Sequence, residues 1–451
     1  MKSKIGPVWT LSLVLFIVVG AGCKKDFRPK GPSDNTLPRT LTSCSAELKT
    51  KILVPAYFYS GSPWWDSLTA QAALFPSKIY AIINTAYNGP GTAVDSTLLA
   101  KITAFRNAGG KVVGYVNSFN YGASNRPIDS VKLDVDHWYA WYGSKMDGIF
   151  FDQMYPVDGG QEQFYRDLYV YVKGKDSNDI VMGNPGGYVV PTYVTWNGNR
   201  VTDVICTYEN TASTIATWPW QFFTWQAGFT PDRFAFLIHT ASLSDMYYGI
   251  NEAVSRGYEW VYCTDDVLAN PYDQLPSYMT QLRKLVAFLR NGPYNYIDVD
   301  GNLNDWNNVP PAAIATSGNV RTFKVANDES ELFFLVQGSG LNVISNIYLN
   351  VDNNDSTGYS ATTWEGPNGC DYMVENNILY KHTGTGWNWT PWDYLDSTQY
   401  YKSDSVIEIA VALSELNITD CSYIHAGFIT NSSGDQLPKS GARMVFRALD
   451  H

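Results

Sequence analysis

Basic side chains are scarce in this sequence: 32 Lys and Arg stand against 43 Asp and Glu, a formal net charge of -11. Recognition of nucleic acid through its phosphates needs a basic surface, so this balance argues against a nucleic-acid partner. Histidine is also rare, with five residues. Only His137 and His239 lie in the N-terminal region, where strand-like and helical runs alternate. Their spacing is not that of zinc ligands, which argues against a zinc deacetylase.

Several motifs are missing as well. No Gly-x-Gly-x-x-Gly loop follows the first strand-like run, which argues against a dinucleotide-binding sheet. No Gly-x-Ser-x-Gly elbow is present, which argues against an esterase. The six Cys include no Cys-x-x-Cys pair and imply no disulfide framework. Cys206 and Cys263 lie within apolar strand-like runs and are predicted to be buried thiols.

The first 22 residues combine a basic start with an apolar run that is shorter than the ~20 residues a bilayer-spanning helix needs. They are predicted to be a signal peptide. Gly20-Ala21-Gly22 resembles a bacterial lipobox and implies cleavage before Cys23 and lipidation of its thiol, with ordinary secretion as the alternative. We expect residues 23–48, rich in Pro, Ser, Thr and Asn, to be a flexible tether to a bacterial membrane, on its periplasmic or outer face.

Eight short apolar runs alternate with helical patterns between residues 49 and 291. Runs of this kind are typical of parallel strands covered on both faces by helices. Eight such units predict a (β/α)8 TIM-type barrel, with a doubly wound open sheet as the structural rival. Residues 294–451 show short, partly alternating strands with turn residues between them, which predicts an all-β sandwich domain. The predicted fold class is therefore α/β followed by all-β.

The predicted barrel strands end on polar or aromatic residues. One of them reads DGIFFDQM over residues 147–154 and ends on a carboxylate and an amide. Since the carboxyl ends of all eight strands meet at one mouth, these ends predict a polar cleft that carries carboxylates. The candidate substrate contacts among them are Tyr57, Asn84, Tyr115, Asn117, Gln153, Asn184, His239 and Asp265. A structural role for His239, and a role for Asp265 in capping the following loop, are the alternatives.

Asp152 and Glu209 are the candidate catalytic pair, because they close the fourth and sixth strands. Cleavage of a glycosidic bond uses one carboxyl group to protonate the leaving oxygen and another to stabilise or attack the oxocarbenium carbon. Alternating strand geometry would place Glu209 on one face with Ile205 and Thr207. The alternative is that one or both carboxylates only bind substrate or satisfy backbone groups.

The sequence resembles spherulin-4-like proteins, which are barrel glycoside hydrolases of microbial cell surfaces. The resemblance rests on VPAYFY with a following Trp pair, IINTAYNGPG, VVGYVNSFNYG, WYGSKMDGIFFDQ, GNPGG and VICTYEN, in that order. It implies an endo-acting glycosidase on an α-1,4-linked, galactosamine-containing exopolysaccharide, with Asp152 and Glu209 at two of the family's acidic positions. The family usually has Glu where this chain has Gln153, and Gln cannot ionise.

The C-terminal region resembles family 9 carbohydrate-binding modules through IDVDGNLNDW, VANDESELFF, YLNVDNNDSTGY and GCDYMVE. Its candidate sugar platforms are Trp364, Trp387, Trp389 and Trp392, with core positions as the alternative. The acidic turn at residues 352–355 offers oxygen donors of the kind that calcium takes, and no other cofactor is expected. We therefore expect a monomeric surface lipoprotein that hydrolyses a polysaccharide. The rival is a polysaccharide-binding or adhesive lipoprotein without catalytic activity.

Overall fold

The computed structural model describes most of the chain after the predicted tether. The described residues are 49–85, 88–120, 124–291, 295–328, 330–352, 354–360, 368–418, 423–431, 434–438 and 444–447. The predicted signal peptide, Cys23 and the tether lie outside the described residues, as do Asn353 and Trp364. Within the described part, no helix has the length and apolar character needed to cross a membrane.

Eight parallel strands close into a barrel. In chain order they are β1 (Lys51–Ala56), β2 (Ile79–Ile83), β3 (Lys111–Asn117), β4 (Gly148–Asp152), β5 (Ile180–Asn184), β6 (Val204–Thr211), β7 (Phe234–His239) and β8 (Trp260–Cys263). Each strand pairs with its successor in sequence, and β8 closes the ring by pairing with β1. The predicted barrel is confirmed.

Six α-helices surround the described barrel: α1 (Trp64–Leu74), α2 (Ser96–Asn107), α3 (Ile128–Tyr142), α4 (Glu162–Lys173), α5 (Leu243–Ser255) and α6 (Met279–Asn291). They follow β1, β2, β3, β4, β7 and β8. After β5 and β6 the chain forms 3-10 segments instead, at Pro191–Tyr193, Ala212–Thr217, Trp220–Gly228 and Pro231–Arg233. Two short hairpins pair Phe119–Asn120 with Ser124–Asn125 and Thr195–Trp196 with Asn199–Arg200.

The close pairing of β4 with β5 explains why the DGIFFDQM stretch has a glycine at its second position. Gly148 has a φ of 145°, and a Cβ atom there would lie 2.0 Å from the carbonyl oxygen of Ile180 on β5. Only a residue without a side chain lets β4 and β5 pair this closely. From this point Ile149, Phe150 and Phe151 are buried, and Asp152 at the strand end is half-buried.

Two antiparallel sheets form the C-terminal region. One has the spatial order Ala313–Ile314, Val320–Asn327, Glu331–Gly338, Val406–Ala412 and Tyr400–Lys402. The other has the order Trp389–Tyr394, Ile378–His382, Tyr372–Glu375, Ser345–Asn350, Tyr423–Thr430 and Gln436–Leu437, and Met444–Arg447 also pairs with Tyr423–Thr430. A shared core between them includes Phe334, Val336, Ile347 and Phe428. The predicted all-β region is confirmed.

The free thiols of the barrel lie where the sequence pattern placed them. Cys206 on β6 and Cys263 on β8 are both buried and unbridged. Helix α5 contacts the C-terminal region, since it packs against the strands Ala313–Ile314 and Met444–Arg447.

Candidate active site

A single amide joins the two candidate catalytic carboxylates. Asn184 Nδ2 donates to Asp152 Oδ1 at 2.8 Å and to Glu209 Oε2 at 2.6 Å, so these two oxygens are at most 5.4 Å apart. The three residues end the neighbouring strands β4, β5 and β6, in the order Asp152, Asn184, Glu209. The structure therefore brings together two carboxyl groups that are 57 positions apart in the sequence.

Two tyrosine hydroxyls also donate hydrogen bonds to the carboxylates. Tyr115 donates to Asp152 Oδ2 at 2.7 Å, and Tyr272 donates to Glu209 Oε1 at 2.8 Å. Tyr57 stands between these two tyrosines, with its ring edge-on to each at centroid distances of 5.7 and 5.6 Å. Each carboxylate thus accepts from one hydroxyl and from the shared amide, and Asp152 also accepts from the backbone of Gln153. These donors fix the orientation of the carboxylates.

The environment makes Asp152 an unusual carboxyl group. Burial, followed by the nearby charge of Glu209, raises the pKa of Asp152 to about 6, against the opposing effect of the hydrogen bonds that it accepts. Burial and the charge of Asp152 also raise the pKa of Tyr57, and burial and Glu209 raise that of Tyr272, well above the ordinary tyrosine value. Both phenols therefore keep their protons, and Asp152 is a proton donor or acceptor near neutral pH.

The predicted face of Glu209 is wrong in one respect. The register between β6 and β7 shifts between Cys206 and Tyr208, so Thr207 has no partner residue on β7 and β6 has a β-bulge there. The buried Thr207 hydroxyl contacts Tyr258 at 2.9 Å and accepts from Gln226 at 2.7 Å, outside the group of side chains around Glu209. The bulge breaks the strict alternation of side chains along β6. As a result, the charges of Glu209 and Asp152 act on the buried thiol of Cys206.

A cavity of about 710 Å³ opens beside Asp152 at the ends of β1, β2 and β3. Its lining includes the predicted contacts Tyr57, Asn84 and Tyr115 together with Asp152. This size lies within the roughly 300–1,000 Å³ typical of ligand pockets. A second cavity, of about 650 Å³, lies at the opposite ends of the strands, where Asp147, Asp203 and their cationic partners form ion pairs. The carboxylate pair belongs to the first end.

Three other predicted contacts have local partners. Asn117 Oδ1 accepts from the backbone N–H of Phe119 at 2.8 Å, so this side chain holds the loop after β3. The Asp265 carboxylate accepts from the backbone N–H and the hydroxyl of Ser277, which matches the capping alternative. His239 is buried, with Nδ1 2.9 Å from the Thr240 hydroxyl. Burial lowers the pKa of His239, while the charge of Glu209 opposes the shift.

Gln153 follows Asp152 at a turn in the chain. Its φ of 57° lies in the left-handed region, where the backbone leaves the strand direction. The next residue, Met154, donates its backbone N–H to the Asn184 carbonyl at 2.9 Å. The turn at Gln153 therefore helps to hold the ends of β4 and β5 together.

Tyr272 is a site residue that the sequence patterns do not reveal. It lies in the loop between β8 and α6, where neither strand alternation nor helical periodicity applies. Its carbonyl accepts from the Tyr57 backbone N–H at 3.1 Å, and its own N–H donates to Asn270 Oδ1 at 3.2 Å. These bonds fasten the loop to the end of β1 and aim the phenol at Glu209.

The candidate metal and sugar residues of the C-terminal region also have defined neighbours. Asp352 accepts from the Asn354 backbone N–H, within the acidic turn, and from the hydroxyl of Thr357, which follows the turn. Among the described residues, no group of three or more His, Cys, Asp or Glu side chains is placed to hold a metal ion. Trp387 is 60% exposed, and its ring meets that of Trp389 at 5.8 Å and 71°. These two rings thus share an edge contact and do not form one flat surface.

Comparisons with known proteins identify a family whose model matches the barrel region of the chain. The family model of spherulation-specific family 4 matches residues 51–286. Spherulin-4 of Physarum polycephalum is 31% identical over 255 residues, which cover 53% of this chain and 71% of that protein. Two solved structures match more weakly, with TM-scores below 0.5. Aspergillus clavatus Sph3 in complex with GalNAc is 21% identical, with a TM-score of 0.45, over 55% of this chain and 100% of that chain. The ligand-free cyclic α-maltosyl-(1→6)-maltose hydrolase of Arthrobacter globiformis is 13% identical, with a TM-score of 0.38, over 81% and 99%.

Proposed function

This chain belongs to spherulation-specific family 4, and on that premise we propose that it is a glycoside hydrolase with Asp152 and Glu209 as its catalytic pair. The observation that carries the proposal is the shared amide of Asn184, which holds the two carboxylates side by side at one mouth of the barrel. Cleavage of a glycosidic bond uses two carboxyl groups that flank that bond.

The two carboxyl groups have different roles in the proposed reaction. Asp152, with its pKa raised to about 6, protonates the leaving glycosidic oxygen. Glu209 attacks the anomeric carbon as the leaving group departs and forms a glycosyl ester. Water then attacks that carbon while Asp152 takes up its proton, and the ester bond to Glu209 breaks. Retaining enzymes place their carboxyl groups about 5–5.5 Å apart and inverting enzymes roughly 6.5–9.5 Å apart. The limit of 5.4 Å between the bridged oxygens favours retention.

The proposed substrate is an amino-sugar exopolysaccharide of the α-1,4-galactosaminan type, cut at internal bonds. A formal net charge of -11 and a carboxylate-bearing cleft suit a polymer with protonated amines, because opposite charges raise the local concentration of the ligand. The C-terminal region is proposed to bind the same polymer through the exposed ring of Trp387, which is in edge contact with Trp389. From the lipobox-like residues before Cys23 we also propose a lipid-anchored bacterial protein that faces the periplasm or the exterior. The chain is proposed to act as a monomer.

The test is the release of reducing ends from partially deacetylated α-1,4-galactosaminan. We expect release by the wild type and a loss of roughly 10³-fold or more in kcat for Asp152→Asn and for Glu209→Gln, as for removal of a catalytic acid or nucleophile. Full activity in either variant would contradict the residue assignment.

A second candidate function is polysaccharide binding without cleavage, and Gln153 is the observation that favours it. Under this alternative the wild type binds the polymer but releases no reducing ends. The variant Gln153→Glu separates the two cases, because it restores the ionisable group that other family members are expected to carry there. Activity that arises only in Gln153→Glu supports the binding function for the natural chain.

A further inference from the structure

The cavity beside Asp152 extends from the carboxylate pair towards one part of the barrel mouth. Its lining includes Tyr115 and Asp152, at the ends of β3 and β4, and continues over the loops that follow β1 and β2. Glu209, which lies two strands beyond Asp152 near the end of β6, is not among the described residues that line it. A sugar chain that passes from Glu209 across Asp152 therefore continues into this cavity.

Tyr57 connects the carboxylate pair with the cavity. It lines the cavity, and the charges of both Asp152 and Glu209 act on its hydroxyl. Tyr115 and Tyr272 donate their hydroxyls to the carboxylates, whereas the Tyr57 hydroxyl has no hydrogen-bond partner within the described part of the chain. A polar group that is removed from water without a partner costs free energy, so this hydroxyl is suited to bond a ligand.

Tyr59 presents an exposed ring to the same cavity. Its side chain is 73% exposed and lines the cavity two residues after Tyr57. The Ser62 backbone N–H donates to the Tyr59 carbonyl at 3.0 Å, which closes a turn. A Cβ atom at Gly61 would lie 3.1 Å from the Tyr59 ring, so the ring packs on the backbone of that glycine. The turn supports the ring, which reduces the entropy lost when a ligand stacks on it.

The cavity carries negative charge. Asp95 and Asp152 line it, and its described lining contains no Lys, Arg or His. Asp95 caps α2, because its Oδ1 accepts from the backbone N–H groups of Thr97 and Leu98 at 2.9 and 3.0 Å. These bonds hold the carboxylate in place on the cavity wall. While Asp152 keeps its proton as the acid, Asp95 supplies a fixed negative charge, which favours a cationic sugar.

We propose that this cavity is the subsite for the sugar residue on the leaving side of the cleaved bond, and that it selects a residue with a protonated amine. The inference rests on the proposed function, in which Glu209 attacks the anomeric carbon and Asp152 protonates the leaving oxygen. That oxygen belongs to the next sugar towards the reducing end, so this sugar lies on the Asp152 side of the bond. Tyr59 stacks on its pyranose ring, and Asp95 pairs with its amine.

The first experiment compares two substrates that share the sugars on the attacked side. One is a galactosamine oligosaccharide, which places a sugar in the cavity. The other is the corresponding oligosaccharyl α-fluoride, whose carbon–fluorine bond breaks as fluoride ion leaves, so no sugar enters the cavity. We expect Tyr59→Ala to lower kcat/KM roughly tenfold more on the oligosaccharide than on the fluoride, since a stacked ring is lost only with the oligosaccharide.

Two further variants control for this loss. Tyr59→Phe keeps the ring and should retain most of the activity on the oligosaccharide. Tyr296→Ala removes a ring of similar exposure, 70%, from the C-terminal region and should not distinguish the two substrates. An equal loss on both substrates in Tyr59→Ala would overturn the assignment of the cavity to the leaving side.

The second experiment measures amine selectivity. It uses oligosaccharides with either a free amine or an N-acetyl group on the leaving residue alone. Asp95→Asn keeps the helix cap, because Asn caps helices as well as Asp, but it removes the charge. We expect the preference for the free amine to fall roughly fivefold, as for loss of an exposed ion pair. Asp129→Asn removes a carboxylate from the first turn of α3, outside the cavity lining, and is the control. An unchanged preference in Asp95→Asn would overturn the amine selection.

A binding measurement separates failure of this inference from failure of the proposed function. The galactosamine oligosaccharide is titrated calorimetrically into variants that also carry Trp387→Ala, which removes the platform proposed on the C-terminal region. If the wild type cleaves neither substrate but Tyr59→Ala and Asp95→Asn weaken binding, the enzyme proposal fails and the cavity stands as a sugar site. If both variants match their controls in cleavage and in binding, the subsite proposal is overturned, and Asp95 serves only as a helix cap.

Discussion

At the scale of single residues, the chemistry of the site depends on how one carboxyl group is surrounded. Asp152 accepts hydrogen bonds from Tyr115 and Asn184, which stabilise its charged form. Burial and the charge of Glu209 act in the opposite direction and prevail, so the pKa rises to about 6. An acid that holds its proton near neutral pH is what protonation of a leaving alkoxide requires.

The pH dependence of the reaction tests this role for Asp152. The reaction needs Asp152 protonated, so kcat/KM should fall as the pH rises above about 6, where the proton is lost. Removing the neighbouring charge with Glu209→Gln should lower the pKa of Asp152, because the repulsion that favours its neutral form disappears. Carboxyl ¹³C chemical shifts measured against pH report that pKa without any turnover. An unchanged pKa in Glu209→Gln, or activity that still rises above pH 8, would contradict the assignment.

Tyr272 gives a second prediction at this scale. The variant Tyr272→Phe removes the hydroxyl that donates to Glu209 Oε1 and leaves Asn184 as the other donor seen at that carboxylate. A hydrogen bond to a charged group contributes about 1.5–3 kcal/mol, so we expect kcat to fall roughly 10- to 100-fold. Tyr169→Phe is the matched control, since the Tyr169 hydroxyl also donates to a carboxylate, Asp203, but at the opposite end of the barrel. Equal losses in the two variants would show that Tyr272 has a structural role only.

At the scale of strands and loops, the sequence predicts the part of the site that regular geometry controls. Asp152, Asn184, Glu209 and Tyr115 could be predicted because apolar runs locate the strands, and parallel strands present their carboxyl ends at one mouth. The bulge at Thr207 could not be predicted, because it depends on pairing with β7 and on the partners Gln226 and Tyr258. Tyr272 could not be predicted either, since hydrogen bonds distant in sequence position its loop.

Gly148 provides a prediction about the β4–β5 pair. In Gly148→Ala the new Cβ would lie 2.0 Å from the Ile180 carbonyl oxygen, so either the strands must separate or the backbone must shift. We expect a loss of at least roughly 3 kcal/mol in the free energy of unfolding, typical of severe overpacking combined with backbone strain. Gly198→Ala is the control, because Gly198 also has a positive φ, of 75°, but a Cβ there meets nothing within 4 Å. The control should lose only about 1 kcal/mol, from strain alone. Similar melting temperatures for the two variants would show that the β4–β5 pair adapts to the extra atom.

At the scale of the whole molecule, α5 is a helix of the barrel that also packs against the C-terminal region. Glu252 on this helix is buried and pairs with Arg256 at 2.8 Å, and the Arg256 guanidinium lies 4.0 Å from the Trp220 ring centre. His425, on the strand Tyr423–Thr430, is also buried and feels the charges of Glu252 and Arg256. Burial is the main cause that lowers the pKa of His425 to about 4. A histidine of the C-terminal region is therefore kept neutral where the two parts of the chain meet.

This neutral histidine predicts a stability that depends on pH. The unfolded chain binds a proton at this residue near pH 6.5, whereas the folded chain does so only near pH 4. Stability is therefore lost as the pH falls from about 6.5 towards 4, by up to roughly 3 kcal/mol from this group.

The variant His425→Leu cannot take up the proton, so its melting temperature should fall less than that of the wild type between pH 7 and pH 4.5. The raised pKa of Asp152 acts in the opposite direction, but it is present in both proteins and cancels in their difference. Parallel melting curves across this pH range would mean that His425 is protonated in the folded chain as readily as in the unfolded one, and that the contact between α5 and the C-terminal region opens to water.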